Sequence, residues 1–189
     1  MASAMRAARS QLEIAAHNLA NVSTDGFRRT RGTTTIGRDG LAVTQRVERD
    51  QGAVRHTGRR FDLALLGEGA FRVGGRATRE GSFTRDRDGY LIDDRGRRLR
   101  GARGDVGVSE DASIAADGAV REGERVVDRI PLPHGTRVMA GALETSAVNP
   151  IGETLAILTA QRAFETAEKT LAAIDAAREK AANDVARVR

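Results

Sequence analysis

The distribution of glycine constrains this chain more than any other feature. Of 21 glycines in 189 residues, 20 fall between Gly26 and Gly141, none comes earlier, and only Gly152 comes later. Glycine is costly inside helices and serves turns that need left-handed backbone. The order therefore reads as helix, then glycine-rich β material, then helix. At this length the chain can bury one modest core, or one core with a helical extension.

Both glycine-poor ends carry a helical stripe. Near the start, Met5, Ala8, Leu12, Ala15, Leu19 and Val22 recur at spacings alternating three and four, the pattern of a helix seeking a partner helix. Ser23-Thr24-Asp25-Gly26 supplies the turn formers that end it. Near the other end, Ile157, Ala160, Phe164, Ala167, Leu171 and Ile174 repeat the alternation, and Ala181, Val185 and Val188 extend it. Pro150 fits a helix start with Asn149 as its cap, and the helix is expected to run to the late 170s with a frayed tail. The first stripe is narrow and rich in alanine. Such helices take most of their stability from packing, within the chain, between subunits, or both.

The middle alternates like β-structure. Leu41 and Val43, then Phe61, Leu63 and Leu65, then Val126-Val127 through Ile130 mark strands. Asp88-Gly89, Arg95-Gly96 and Asp117-Gly118 mark turns at the short intervals of an antiparallel domain. The fold class that follows is α+β: terminal helices pairing as a coiled-coil-like stem, with a central, mainly antiparallel β-domain. The boundaries drawn are 1–25 for the first helix and its turn, 26–141 for the β-domain, and 142–189 for the last helix.

Composition narrows the function classes. Aromatic residues make up only 3%, so the core must be built from Val, Leu, Ile and Ala. No apolar run reaches the roughly 18 residues of a membrane span, and Met1-Ala2-Ser3-Ala4-Met5-Arg6 lacks the apolar region of a cleaved signal peptide. The absence of cysteine removes disulfides, thiolate metal sites and cysteine nucleophiles. A net charge of +5 and a pI near 10.7 fit a basic nucleic-acid-binding module as the rival reading. Acidic residues are interspersed, however, as in Arg46-Val47-Glu48-Arg49-Asp50, which describes a mixed solvated surface better than a phosphate-tracking stripe. The expectation is no nucleic acid and no membrane insertion.

Chemical motifs fail on inspection. Gly67-Glu68-Gly69 follows an apolar strand but lacks the third glycine and the helix of a dinucleotide loop, and Gly69 through Val73 is expected to continue as strand. Asp86-Arg87-Asp88-Gly89 has the wrong end residues for a calcium loop, Thr84 and Arg95, and reads as a β-turn. His17, His56 and His134 have no helical partner at metal spacing. Ser82 and Ser146 lack a nucleophile-elbow setting, and Asp93-Asp94 reads as turn residues. No cofactor and no catalytic group are expected.

Four stretches, in order, resemble one family. Leu12-Glu13-Ile14-Ala15-Ala16-His17-Asn18-Leu19-Ala20-Asn21-Val22-Ser23-Thr24-Asp25-Gly26-Phe27-Arg28 is similar to the N-terminal signature of flagellar basal-body rod and hook proteins, with His17 in place of the usual first Asn. Phe61 through Val73 and Arg79 through Leu91 resemble two of its central stretches. Gly141 through Pro150, leading into Gln161-Arg162-Ala163-Phe164-Glu165, resembles its C-terminal signatures, with Ala147 in place of an Asn. The stretch from Arg121 to Gly141 is short for this branch, and the start falls a few residues later than is usual there.

The resemblance implies a structural, non-enzymatic subunit of the rod, of proximal or distal type. It implies export by the flagellar type III apparatus without a cleaved signal, and assembly with copies of itself and with other rod and hook subunits. The residues expected at subunit interfaces are Leu12, Ala15, Asn18, Leu19, Asn21 and Val22 at one end. At the other end they are Ile157, Ala160, Gln161, Phe164, Leu171 and Ile174. Asn18 and Asn21 read either as solvated helix-end caps or as residues fixing register between packed helices. Arg162 is expected to bridge to an acid on a neighbour. An isolated subunit, lacking partners for its stripes, is expected to have largely disordered ends.

Overall fold

The computed structural model describes residues 2–38 and 40–187. The chain divides into two compact units, Met1–Ala20 with Thr30–Glu48 and Asn149–Arg189, and Asn21–Arg29 with Arg49–Val148. The α+β class holds: two helices at the ends and a central region of small antiparallel sheets.

The first unit holds both helices and one hairpin. Helix α1 spans Ala2–Ala20 and helix α2 spans Pro150–Arg187. Asn149 caps α2 as expected, its Oδ1 accepting from the amides of Ile151 and Gly152 at 3.1 and 3.2 Å. The helix does not stop in the late 170s but continues to Arg187. The sequence after Arg178 contains neither glycine nor proline and is dominated by strong helix formers. Residues 175–183 are exposed throughout. The side chain of Val185, and Val188 altogether, lie outside the described residues.

Between the helices in sequence, β1 (Thr30–Gly37) and β2 (Gly40–Val47) pair antiparallel in unbroken register from Thr30↔Val47 to Gly37↔Gly40. Leu41 and Val43 share one half-buried face while Ala42 is exposed, as the alternation predicts. The ribbon packs on α1. A Cβ added to Gly32 would lie 2.7 Å from both Ile14 Cδ1 and Gln11 Oε1, so any larger residue there must displace the ends of those two side chains. Gln11 Nε2 donates to the Gly32 carbonyl and to Thr34 Oγ1 at 3.2 and 3.1 Å.

The second unit begins with the turn after α1. That helix ends at Ala20, so Val22, expected at the end of the helical stripe, sits in the turn with Asn21 instead. The Thr24 amide and hydroxyl both bond Asn21, to its carbonyl and to Oδ1, and such local pairing competes with helical continuation. Gly26 closes the turn at φ +69°.

The β region is closed by pairings between its start and its end. Strand β3 (Val54–His56) pairs with β13 (Ala142–Glu144), and β4 (Leu63–Leu66) with β12 (Arg137–Ala140). Between them, β5 (Phe71–Val73) pairs with β6 (Arg76–Thr78), β7 (Thr84–Arg85) with β8 (Leu91–Ile92), and β10 (Ala119–Glu122) with both β9 (Ser113–Ile114) and β11 (Arg125–Arg129).

One core fills this unit, built on Leu63, Leu65, Phe71, Val73, Phe83, Leu91, Leu99, Val106, Val120 and Ile130. Phe71 and Phe83 meet edge to face at 5.4 Å. Strand β4 is buried on both faces, Ala64 included, so the expected in–out alternation gives way to a continuous buried run. The strand expected through Gly69 starts only at Phe71, because the chain bends at residues 67–68 and is irregular through 70. The three predicted turns hold, with Gly89, Gly96 and Gly118 all at positive φ.

Candidate functional site

Two buried polar nodes organise the chain, one in each unit. In the first unit the node is Asn18, fully buried in the last turn of α1. Its Oδ1 accepts from the Thr30 amide at 2.9 Å, and its Nδ2 donates to the Thr30 carbonyl at 2.8 Å. Nδ2 also donates to Oε2 of Glu153 in the first turn of α2, at 3.1 Å. Of the two readings open in the sequence, this rules out a solvated cap.

The two helices run antiparallel along this contact. Asn18 meets Glu153, while Ala4, Ala7 and Ala8 line one groove with Ala156, Ala160 and Ala163. Thr34 and Leu41 of the hairpin complete the groove, a hollow of about 430 Å³. The buried apolar residues here are Ala7, Ala8, Ile14 and Ala15 on α1, with Ala160 and Ala167 on α2. Alanine lets helix backbones approach closely but buries little area. The helices therefore meet through a thin core, while the larger stripe residues remain at its margins.

Those larger residues are the ones singled out from the sequence. Leu12, Leu19, Ile157, Phe164, Leu171 and Ile174 are all half-buried, beside buried Ala15, Asn18 and Ala160. Asn21 and Val22 are half-buried in the turn of the other unit, and Gln161 is exposed, as is Arg162. A second apolar row on α2 escaped sequence reasoning. Ile151, Leu155 and Leu158 are 73%, 59% and 46% exposed. Their spacing of four and three was legible, but the row ends after three residues, where Arg162 follows, and was overshadowed by the longer stripe.

In the second unit the node is an ion pair. Arg79 Nε and Nη2 donate to Glu144 Oε2 at 2.8 and 2.5 Å, with both side chains buried. The remaining guanidinium hydrogens reach the carbonyls of Leu65, Gly67 and Gly69 at 2.9, 2.8 and 3.1 Å. Glu144 Oε1 accepts from the Gly52 amide at 3.2 Å. The Gly67–Gly69 loop thus turns carbonyls toward a cation, the opposite polarity from a phosphate cradle.

The glycines of the signature stretches pack against this frame. A Cβ on Gly26 would lie 2.4 Å from the Arg79 carbonyl carbon, and the Gly26 amide donates to the Glu144 carbonyl at 2.7 Å. A Cβ on Gly81 would lie 1.7 Å from the Leu63 carbonyl oxygen. Arg28, which ends the N-terminal signature, has a buried Nε with no hydrogen-bond partner. Burial, then the nearby Arg79 guanidinium, lowers its affinity for the proton. Sequence reasoning quoted Arg79 and Glu144 inside two separate stretches without a signal that they meet across 65 residues.

Acidic side chains elsewhere serve turns and ion pairs. Asp93 accepts from the Arg95 and Arg97 amides and from Arg97 Nε. Burial raises its proton affinity, but those hydrogen bonds outweigh it and hold the carboxyl below its usual range. Asp86 accepts from the Tyr90 amide across the predicted β-turn. Arg98 lies over the Tyr90 ring and within 4 Å of Asp86, Asp88 and Asp105. Among the described residues no three His, Asp or Glu side chains converge as a metal would need, and no helix is long and apolar enough to cross a membrane.

Comparison with known proteins picks out the two ends of the chain. The family described as flagella basal body rod protein matches residues 1–28, and that described as flagellar basal body rod FlgEFG protein C-terminal matches residues 139–184. A comparison with curated proteins finds no match.

Proposed function

We propose, for a chain whose two ends carry the domains of flagellar basal-body rod proteins, that this protein is an axial structural subunit of the rod, assembling through its terminal helices. One observation carries this reading. The helices that bear the matched domains pair through a thin alanine core and leave Leu12, Leu19, Ile157, Phe164, Leu171 and Ile174 only half covered. Ile151 and Leu155 add an uncovered row beside them.

Each larger aliphatic taken fully out of water contributes about 1.5–3 kcal/mol. A neighbouring subunit that completes the burial of several such residues can offset the entropy of ordering them. Assembly is then the physical completion of a core that one chain leaves unfinished. The neighbours are copies of this chain or kindred rod and hook subunits, and their helices continue the pairing as a coiled-coil-like bundle. The β-domain between the ends fits a proximal- or distal-rod type of subunit. Delivery by the flagellar export apparatus suits ends that gain their order on joining the rod, and in dilute solution those ends are expected to be far less ordered than the β-domain.

The test is incorporation. Leu19→Asp and Leu171→Asp place an unpaired carboxylate in the seam, which is expensive to bury. Both are expected to abolish co-purification with intact basal bodies while the β-domain stays folded by circular dichroism. A working rod built from either variant overturns the seam.

A further inference from the structure

We propose that Asn18 is a latch through which the arrival of α2 licenses the β1–β2 hairpin, so that helix pairing and hairpin formation occur as one event. The reading stands whatever the assembled partners are, because it concerns three segments of a single chain.

The geometry is that of a side chain imitating a strand. The carboxamide of Asn18 takes both backbone groups of Thr30, accepting from its amide and donating to its carbonyl, as a paired residue on a neighbouring strand does. Thr30 is the first residue of β1, so this clamp sets where the ribbon starts. A carboxamide can present itself in two orientations, and only one satisfies Thr30. The other would point Oδ1 at the Thr30 carbonyl.

Glu153 selects the correct orientation. Its Oε2 takes the second Nδ2 hydrogen, and a flipped amide would bring two oxygens together there as well. Both donors of Asn18 are thus committed, one to the hairpin and one to α2. Asn18 is fully buried and Glu153 is 2% exposed, so water is poorly placed to replace either partner.

The rest of the hairpin cannot hold itself. Every residue from Thr33 to Arg38 is exposed, and a lone two-stranded ribbon is marginal in water. Its contacts with α1 include Gly32 against Ile14 and Gln11, Gly40 against Ser3, and the Asn18 clamp. Of these, only Asn18 also bonds α2.

Hydrogen exchange on the full-length protein, from water into concentrated trimethylamine N-oxide, tests the latch by following hairpin and α2 amides separately. In the wild type both sets are expected to gain protection together, at one midpoint. Asn18→Asp keeps the shape but loses both donors, and is expected to lower hairpin protection about tenfold relative to α2, the effect of leaving a buried hydrogen-bonding group unpaired. Glu153→Ala acts in the same direction. Glu153→Gln, which retains an acceptor, stays near wild type. The amides of Leu63 and Val106 report that the β-domain is intact in each variant. Hairpin protection appearing before that of α2, an unchanged ratio in Asn18→Asp, or no condition that protects either set overturns the proposal.

Discussion

The two units of this chain bury a polar node in opposite ways. Arg79 and Glu144 sit in a unit whose core holds two phenylalanines and a run of leucines and valines, all less than a few per cent exposed. Their charges are matched to each other and to four backbone groups. Asn18 sits in a unit whose buried apolar side chains, among the described residues, are five alanines and one isoleucine. A buried ion pair is tolerable where both partners find hydrogen bonds in the surrounding frame, as Arg79 and Glu144 do. A neutral amide suits a thinner core, because it costs less than a charge when its surroundings open. The contrast is between a unit finished by a large aliphatic and aromatic core and a unit whose described buried core is mostly alanine.

The largest effect expected from breaking this contrast lies in the finished unit. Glu144→Ala leaves the Arg79 guanidinium buried without its partner and should cost about 3–5 kcal/mol in urea unfolding of the β-domain. A cost under about 1 kcal/mol would mean the pair is an ornament of the frame.

Next comes the thin core. Ala15→Leu adds volume at a residue only 2% exposed and should cost roughly 1–3 kcal/mol, read in trimethylamine N-oxide where the ends are ordered. The loss should appear in the helical signal alone, with the β-domain transition unmoved. A shift in both transitions would erase the distinction between the units.

Asp93→Asn should cost about 1.5 kcal/mol at neutral pH by weakening charge-assisted hydrogen bonds in the 93–97 turn. The Asp93 carboxyl is held below its ordinary value of 3.8. Its contribution is therefore complete above that value and is lost as the pH falls through the lower folded-state value. The stability gap between wild type and variant should shrink as acid is added below pH 3.8, and a gap that stays constant in acid would assign the turn's stability elsewhere.

The smallest effect on stability, and the most specific, belongs to the uncovered row of α2. Leu155→Ser should change unfolding by less than about 0.5 kcal/mol, as surface substitutions do. It should nonetheless reduce incorporation into rods. Equal incorporation would remove this row from the assembly surface.

Much of the frame was legible in the residues. The concentration of glycine between 26 and 141, the alternating stripes as far as Leu19 and Ile174, the Asn149–Pro150 helix start and the Asp-Gly turns each depend on interactions between near neighbours, and each appears where expected. The helical faces were legible in part. Ala15, Ala160 and their larger stripe neighbours share one face of each helix, yet nothing local revealed that Val22 falls outside α1. The end of α1 was misplaced because a hydrogen-bonded turn at Asn21 competes with helical backbone on nearly equal terms. The end of α2 was misplaced because no residue in its tail forbids a helix.

The sequence by itself determined the order of elements, the helical faces, the turns and the likeness of both ends to rod proteins, since all of these are written in local spacing and residue type. Only the tertiary structure decided that Asn18 is buried against Thr30 and Glu153, that Arg79 finds Glu144, and that the Thr30–Val47 hairpin packs with the helices. Those pairings join residues up to 135 positions apart. No local preference encodes such a meeting, because its free energy arises only when distant segments exclude water from the same polar groups at once.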